Sequence, residues 1–308
     1  MQRELALTLR SSFETFIRDI SQSRGGVVIM STQPQIFNEP VSREGNVFRR
    51  TNSHKGRKVF ITPANSTMKH LCYSRIILDK STPKAQFENG KQETALICLS
   101  GEVEATAGAE RFKLAERDSV YIPRGSAISL ETHSSVDIAE FSADVEQRYP
   151  LQIVRYADVK NDKSLHFTAG GAATTRDLNI LIGKNVQAGR LLAGLTISEP
   201  GNWTSWPPHE HAAMLEEMYV YTQMPPPGFG IQFVYTDTKE PELATIVRDG
   251  DAVLMPRGYH PNVAAPGHRI GFLWAMAAHR EKEDRQFGVV NVQPEFSQSG
   301  SGLEASRK

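Results

Sequence analysis

Cysteine, unbalanced charge and long apolar runs are all scarce in this sequence. Its 308 residues include two cysteines, Cys72 and Cys98, which are too few and too far apart for a disulfide framework. We expect both to be buried apolar residues in a reducing compartment. Basic and acidic residues each number 35, so the formal net charge is zero. Without a block of like charge, the sequence favours small-molecule chemistry over nucleic-acid binding.

Candidate membrane segments are also lacking, since nowhere do about 18 apolar residues follow one another. A signal peptide would need an unbroken apolar stretch within residues 1–24, and charged side chains interrupt that region: Arg3, Glu4, Arg10, Glu14, Arg18 and Asp19. This pattern argues against secretion and membrane insertion. We therefore expect a cytoplasmic protein that does not bind membranes.

The first 60 residues are predicted to form a helix followed by an arm. Apolar residues recur at helical spacing between Gln2 and Ser21: Leu5, Leu9, Phe13, Phe16, Ile17 and Ile20. This amphipathic helix should pack on the protein body or on a neighbouring subunit, which fits a homo-oligomer. Residues Ser31 to Lys58 are polar and contain two prolines, so they indicate an irregular arm.

The remainder of the chain has the pattern of a β protein. From about Val59 onward, short β-patterned runs alternate with turns that contain Gly, Pro, Asn and Asp. This spacing predicts a sandwich or barrel rather than alternating helices and strands. The C-terminal residues 294–308 have almost nothing to bury, so we expect them to be disordered.

Two histidines separated by one residue, His209 and His211, are the strongest chemical signal in the sequence. On a β-strand, side chains two residues apart point to the same face, so both imidazoles can bind one metal ion. The alternative is a pair of surface histidines on a loop, since Pro207 and Pro208 precede them. Spacing alone leaves both interpretations open.

A late histidine and an acidic pair complete a candidate donor set. His260 follows a turn, a short apolar strand and Pro-Arg-Gly, which is the layout of a late strand in a small barrel. Of Glu216 and Glu217 we choose Glu217, because it begins an alternating run with Tyr219 and Tyr221 on one face. Three imidazoles and one carboxylate suit one divalent ion per chain, Zn²⁺, Mn²⁺, Fe²⁺ or Ni²⁺, of which we favour the first two. An open coordination position would indicate catalysis.

The β region also repeats itself weakly. Residues 116–127 and 247–260 share an Asp-containing turn, an apolar strand and Pro-Arg-Gly. Where the second copy has His260, the first has Ala127, and upstream we match Glu93 with Glu217. A duplicated barrel with one metal site in the C-terminal copy explains this likeness. The alternative is that Pro-Arg-Gly recurs because it forms a good turn.

Several motifs resemble the 5-deoxyglucuronate isomerases of bacterial myo-inositol breakdown. They are Gly201-Asn202-Trp203-Thr204-Ser205-Trp206-Pro207-Pro208-His209-Glu210-His211, Pro226-Pro227-Gly228-Phe229-Gly230-Ile231-Gln232, and Pro256-Arg257-Gly258-Tyr259-His260-Pro261. The resemblance is strong over roughly residues 176–290, weaker over 65–146, and fades in the first 60 residues. The related 4-deoxy-threo-hexosulose-uronate ketol-isomerases of pectin breakdown have a similar metal-site pattern. The short spacer between His211 and Glu216 is closer to the pectin type.

This resemblance implies an all-β bicupin, with two cupin (jelly-roll) barrels in one chain after an N-terminal helix and arm. We accordingly expect the N-terminal helix and arm over residues 1–60 and a degenerate cupin barrel without a metal site over 61–146. A metal-binding cupin barrel should span 147–293, followed by a disordered tail over 294–308.

The resemblance also implies an intramolecular oxidoreductase, a metal-dependent aldose–ketose isomerase of a deoxy uronate sugar. The favoured reaction converts 5-deoxyglucuronate to 2-deoxy-5-keto-gluconate in myo-inositol catabolism. The alternatives are the pectin-type ketol-isomerase, a cupin dioxygenase, and a sugar-binding bicupin without catalysis. The implied partner is a small uronate sugar, with no nucleic acid or membrane.

The implied reaction gives each candidate residue a role. The metal ligands would be His209, His211, Glu217 and His260. Proton carriers would come from Glu217, Tyr219, Tyr221 and Tyr235, although core packing is the ordinary role of tyrosines in a barrel. Arginine forks bind carboxylates, so Arg176, Arg190 and Arg257 are candidates for binding the uronate carboxylate, although Arg257 could instead order its turn. Gln232 could bond a sugar hydroxyl.

Overall fold

The computed structural model describes residues 41–299 and residue 302. Antiparallel β-strands dominate this part of the chain, together with two short α-helices, α1 (Arg43–Asn46) and α2 (Tyr156–Asn161), and a 3-10 helix at Pro294–Ser299. The amphipathic helix predicted over Gln2–Ser21 lies outside the described residues. No helix of the described residues is long and apolar enough to cross a membrane.

The chain contains twenty-two strands in its described part. The first ten are β1 (Val47–Phe48), β2 (Gly56–Ile61), β3 (Cys72–Asp79), β4 (Lys84–Glu88), β5 (Gln92–Ala107), β6 (Glu110–Ala115), β7 (Ser119–Ile122), β8 (Ala127–Glu131), β9 (Ser135–Asp144) and β10 (Gln152–Val154). The rest are β11 (His166–Ala169), β12 (Arg176–Ile182), β13 (Leu191–Ser198), β14 (Trp203–Thr204), β15 (His209–Glu210), β16 (Leu215–Tyr221), β17 (Gly230–Val234), β18 (Leu243–Val247), β19 (Ala252–Met255), β20 (Asn262–Ala264), β21 (Gly271–Ala278) and β22 (Asn291–Val292).

Strands β2 to β10 form the first barrel. One layer has the order β10-β7-β5-β9-β3-β2, and β4, β6 and β8 form the other layer by pairing with one another and with β5. Strand β5 therefore contributes to both layers. It changes direction at Gly101, whose φ is +80°, and a Cβ there would lie 2.0 Å from the Ser135 carbonyl oxygen. Only glycine fits this bend, which lets one long strand close the barrel.

The second barrel combines β1 with the strands after β10. Its larger layer has the order β1-β19-β16-β21-β13-β12-β11, and its smaller layer has the order β14-β20-β17-β18. Strands β15 and β22 form a separate two-stranded pair. The molecule is thus a bicupin, as the resemblance implied.

Three apolar clusters hold the barrels together. One fills the first barrel and includes Leu96 and Ile138. Another lies inside the second barrel and includes Tyr219 and Phe272. The third lies between the barrels, where the outer faces of their larger layers meet, and includes Met218. A strand of this interface is buried on both faces, so each of its polar side chains needs a partner.

The repeat is shifted by one residue from the match made in the sequence. Thr94 lies opposite Ile122 in the first barrel, and Glu217 lies opposite Met255 in the second. Ile122 and Met255 each precede Pro-Arg-Gly, so Thr94 is the counterpart of Glu217, and Glu93 is the counterpart of Glu216. The sequence match failed because the second copy has two adjacent glutamates and the first has one.

Residues 41–60, expected to be part of an irregular arm, are built into the barrels. Val47 of β1 pairs with Val253 of β19, and the Asn46 amide donates to the Leu254 carbonyl. The tail expected to be disordered from residue 294 begins with the 3-10 helix. There the Phe296 ring lies 4.9 Å from the Trp206 ring, an apolar contact that the polar composition of the tail concealed.

Both cysteines are buried and carry free thiols. Burial raises the pKa of Cys72 and raises that of Cys98 to about 12, so both thiols stay protonated at neutral pH. They behave as the buried apolar residues that the sequence predicted.

Candidate metal centre

Three side chains converge inside the second barrel. His211 follows β15, Glu217 lies in β16, and His260 lies between β19 and β20. The Nε2 atoms of His211 and His260 each lie 3.0 Å from the Glu217 Oε2 atom. One donor atom from each residue fits within 4.8 Å of the other two, and all three residues are buried. The group could hold a metal ion.

Backbone carbonyls fix the orientation of the histidine rings. The Nδ1 atoms of His211 and His260 lie 3.1 Å and 2.8 Å from the carbonyl oxygens of Leu215 and Gly258. A carbonyl can only accept, so Nδ1 must carry the proton in both rings. In the neutral ring the lone pair is then on Nε2, which is the atom that faces Glu217. Metal-binding histidines are oriented in this way.

His260 gives the clearest indication that this cluster binds a cation. Its buried Nε2 atom has no hydrogen-bond partner among the described residues, although the Glu217 carboxylate lies 3.0 Å away. A lone pair that faces a carboxylate is unfavourable unless a cation or proton lies between them. Two imidazoles and a carboxylate suit a divalent transition metal, and they fit the ion that the sequence predicted.

The electrostatics of the cluster keep its carboxylate charged. Burial opposes ionisation of Glu217, but the neighbouring rings of His211 and His260 lower its pKa to about 2. Burial also opposes protonation of His211, yet the bond to Glu217 raises its pKa above the usual value. A negative carboxylate beside paired imidazoles is the charge arrangement that a cation would neutralise.

His209 lies beside this group. Its ring centroid is 5.0 Å from that of His260 and 6.3 Å from that of His211. Its Nδ1 atom donates to the Pro207 carbonyl at 2.8 Å, which leaves the Nε2 lone pair free to bind a metal. Burial, with the nearby histidines, lowers the His209 pKa to about 3, so the ring is neutral at physiological pH.

The two adjacent glutamates face opposite ways, as the alternation of a strand requires. Glu217 points into the barrel, whereas Glu216 points to the other barrel and accepts hydrogen bonds from the backbone N–H groups of Lys69, His70 and Leu71. Of the pair, only Glu217 belongs to the cluster with His211 and His260.

A cavity opens beside the cluster. Glu217 and His209 form part of its wall, together with the polar side chains of Arg176, Ser205 and Tyr219. The remaining wall is mostly apolar: Leu178, Phe272, Trp274, Met276 and Phe287. The cavity volume is about 60 Å³, and its apolar walls with a few convergent polar groups share the lining chemistry of sites for small molecules.

Arg176 is the predicted arginine that the structure places in this cavity. It is buried, with 4% of its surface exposed. Its guanidinium donates to the carbonyls of Thr174, Trp206 and Gly302. These three acceptors are backbone carbonyl oxygens. The planar fork of a guanidinium is also suited to a carboxylate.

Tyr219 is the predicted tyrosine that the cavity contains. Its hydroxyl lies 2.6 Å from the Ser205 hydroxyl. Burial, with the nearby Glu217 charge, raises the pKa of Tyr219 well above its usual value, so it stays a neutral hydroxyl. Sequence reasoning missed Ser205, because no local pattern shows that a residue four positions before His209 reaches β16.

The other predicted polar residues of the second barrel serve the fold. Tyr221 donates to the Gln232 side-chain oxygen, and the Gln232 amide donates to the His260 and Pro261 carbonyls. Gln232 is fully buried in this network. These two residues therefore secure the loop that carries His260, and they are not among the residues that line the described cavity.

Tyr235, Arg190 and Arg257 also lie away from the cavity. The Tyr235 hydroxyl bonds the Gln293 side chain, and its ring lines a separate aromatic cleft. Arg190 donates to the Asp144 carbonyl of the first barrel and to the Ala278 and His279 carbonyls of its own barrel. Arg257 forms a bidentate pair with Glu242, consistent with ordering its turn. Their charges or hydroxyls are thus used in structural contacts.

Comparison with known proteins agrees with this fold. A model of the KduI/IolB family matches residues 47–292. The chain is 29% identical over 242 residues to the 5-deoxy-glucuronate isomerase of Geobacillus kaustophilus strain HTA426, covering 73% of this chain and 86% of that protein. It is 30% identical over 213 residues to the protein of the same name from Shouchella clausii strain KSM-K16, covering 61% and 74%.

Solved structures show the same architecture. An IolB-like protein from Salmonella typhimurium LT2 superposes with a TM-score of 0.73 at 22% identity, covering 82% of this chain and 98% of that chain. Oxalate decarboxylase from Bacillus subtilis superposes with a TM-score of 0.58 at 13% identity, covering 84% and 81%. At these identities the two likenesses establish the bicupin fold alone.

Proposed function

Since the chain belongs to the KduI/IolB family of isomerases, we propose that it is a metal-dependent aldose–ketose isomerase that converts 5-deoxyglucuronate to 2-deoxy-5-keto-gluconate. One observation carries the proposal. Imidazole Nε2 lone pairs converge on Glu217 in a cavity that also contains Arg176 and the hydroxyl pair of Tyr219 and Ser205. Isomerisation of a uronate needs a cation at the carbonyl oxygen, an arginine guanidinium at the carboxylate and a group that carries protons.

His209, His211, Glu217 and His260 would hold the ion, with Zn²⁺ or Mn²⁺ as the candidates. A bound divalent ion would stabilise the negative charge that develops on the carbonyl oxygen during isomerisation. The carbonyls of Pro207, Leu215 and Gly258 keep the three rings oriented for this role.

Arg176 would bind the substrate carboxylate. Its fork can form two parallel hydrogen bonds with a carboxylate, which fixes the direction in which the sugar lies. The arginine and the Glu217 carboxylate line the same cavity. The substrate would therefore lie with its carboxylate at Arg176 and its carbonyl end near the histidines.

Tyr219 and Ser205 would transfer a proton between the two sugar oxygens. In the reaction a proton moves from the carbon bearing the hydroxyl to the carbonyl carbon, and a second proton moves between the oxygens, so no atom is lost. With its pKa raised, the Tyr219 hydroxyl is a donor rather than a base. Paired with Ser205 at 2.6 Å, it can give its proton to one sugar oxygen while Ser205 passes its own proton to Tyr219 and takes one from the other sugar oxygen, so both hydroxyls are restored.

The test is turnover followed by NMR, with 5-deoxyglucuronate and the pectin-derived 4-deoxy-hexosulose uronate as separate substrates. We expect conversion of 5-deoxyglucuronate, and its loss in metal-stripped protein and in His211→Ala. Conversion of the pectin-derived substrate alone would transfer the assignment to that ketol-isomerase. Failure with both substrates in metal-loaded protein would refute the proposal.

A further inference from the structure

Glu216 reaches from the metal-binding barrel into the other barrel. Its buried carboxylate accepts the backbone N–H groups of Lys69, His70 and Leu71 at 2.7, 2.7 and 2.6 Å. These three residues lead into β3 of the first barrel. Three successive N–H groups aimed at one carboxylate form a strong, charge-assisted contact. We call this set of residues the Glu216 clamp.

The first barrel returns the same contact. Glu93 accepts the backbone N–H groups of Gly189, Arg190 and Leu191 at 2.7, 2.6 and 2.8 Å, where the chain leads into β13 of the second barrel. Glu93 is the counterpart of Glu216 in the repeat, and both residues are fully buried. We call this set the Glu93 clamp. The two clamps are related by the internal duplication. In each, a glutamate of one barrel accepts backbone hydrogen bonds at the start of a strand of the other barrel.

The clamps differ in two respects: Glu93 also accepts a hydrogen bond from the Tyr121 hydroxyl at 2.7 Å, and a different residue follows each glutamate. Glu216 is followed by Glu217, whose carboxylate lies between His211 and His260. Glu93 is followed by Thr94, whose hydroxyl oxygen is 3.3 Å from the Asn89 amide. Only the Glu216 clamp therefore lies directly beside a candidate metal ligand.

A second contact links residues Lys69 to Leu71 of the first barrel to the loop that follows His211. The His70 ring lies 5.5 Å from the His279 ring. His279 donates from Nε2 to the Ala212 carbonyl and from its backbone N–H to the Met214 carbonyl. Residues Lys69 to Leu71 thus brace both the strand of Glu217 and the loop that follows His211.

We propose that Glu216 is a positioning residue for the metal centre, through which the first barrel, itself lacking the histidines, holds Glu217 in the geometry that binds the ion. The proposal rests on the metal centre of the proposed function. The three hydrogen bonds to the Glu216 carboxylate restrain the backbone of β16. The direction of the next side chain is fixed with it, and metal sites need such support to hold ligands in place.

The experiment compares Glu216→Gln with Glu93→Gln in the full chain. Each glutamine leaves a buried N–H without a charged acceptor, so both variants should lose thermal stability. The dissociation constant of Mn²⁺ is measured by competition with a chelator on folded protein, checked by circular dichroism. We expect Glu216→Gln to raise it by about 10- to 100-fold, the usual effect of losing an outer-shell partner. Glu93→Gln should leave it nearly unchanged.

A merely structural role predicts a different result. Equal effects of the two substitutions on the Mn²⁺ dissociation constant, or no effect of Glu216→Gln, would overturn the inference. If either glutamine variant fails to fold, Glu216→Asp and Glu93→Asp are compared in their place, with the same expected asymmetry. The visible spectrum of bound Co²⁺ adds a second readout, which should change in the Glu216 variant alone.

The outcome is separable from the isomerase assignment. An unaltered protein that binds no divalent ion would overturn the metal centre and this inference together. An unaltered protein that binds Mn²⁺ but fails to convert 5-deoxyglucuronate would refute the proposed substrate, while the difference between the two variants would still decide the role of Glu216.

Discussion

Replacing Glu217 by glutamine should remove most of the thermal stabilisation that a bound metal gives this protein. Glu217 is the one carboxylate of the cluster, is 2% exposed, and lies 3.0 Å from two imidazole nitrogens. Glutamine keeps the shape and one oxygen but removes the charge that attracts the cation. The rest of the donor set stays in place, so the change isolates the carboxylate.

The expected magnitude follows from mass action. Metal at 100 times its dissociation constant stabilises the native protein by about 2.7 kcal/mol. For a protein of this size, each kcal/mol of added stability raises the melting temperature by about 2–4 °C. Bound metal should therefore raise the melting temperature by about 5–10 °C. We expect Glu217→Gln to weaken metal binding by about 100-fold, a loss as large as removal of a residue that supports a ligand can cause. The same metal concentration then equals the dissociation constant of the variant. The gain is then about 0.4 kcal/mol, or about 1 °C.

The assay is differential scanning calorimetry with stripped and Zn²⁺- or Mn²⁺-loaded protein. Glu210→Gln is the matched control, because Glu210 lies between the two histidines and bonds Ala212 and Asn291 instead of the cluster. It should keep the full gain. An equal gain in both variants, or no gain in the unaltered protein with either ion, would refute the reasoning.

Three further predictions concern the cavity. Arg176→Lys should lower kcat/KM for the uronate by about 10- to 100-fold through loss of the bidentate contact, about 1.5–3 kcal/mol; steady-state kinetics should show no such loss for Arg257→Lys, and equal losses would contradict the role of Arg176. Tyr219→Phe should lower kcat by about 100-fold or more with a smaller change in KM, whereas Tyr235→Phe should not; an unchanged kcat in Tyr219→Phe would exclude it as a proton carrier. Metal affinity should fall as pH is lowered, because a protonated His211 cannot bind the metal until its proton leaves. Burial opposes protonation of His211, but Glu217 raises the His211 pKa above its usual value. Calorimetric titration at about pH 6 and about pH 8 should show weaker binding at the lower pH, and constant affinity would contradict this.

The features predicted correctly from the sequence are those with a local signature. The two-residue alternation of a strand separates Glu217 from Glu216, and the structure shows the two carboxylates on opposite faces of β16. The Pro-Arg-Gly turn before His260 marked a late barrel strand. These two inferences needed only the period of a strand and the chemistry of a turn. The bicupin fold was instead implied by the resemblance of several motifs to a known family.

The features that the sequence did not reveal depend on contacts between distant segments. Gln232 was chosen for a substrate because its strand faces inward, yet its amide is used by the His260 and Pro261 carbonyls. Arg190 and Arg176 are equally good carboxylate ligands as sequence letters, but Arg190 donates to backbone carbonyls of both barrels, whereas Arg176 lines the cavity. Neither outcome can be inferred from neighbouring residues, because each depends on which strand packs opposite.

The most direct test of the account is a titration of metal-stripped protein with Mn²⁺ or Zn²⁺ during turnover of 5-deoxyglucuronate. The account predicts that the rate rises in proportion to added metal and levels off at one equivalent per chain. It also predicts that His260→Ala gives no rise at the same concentrations. Full activity in the stripped protein, or a rate that does not respond to metal, would contradict it.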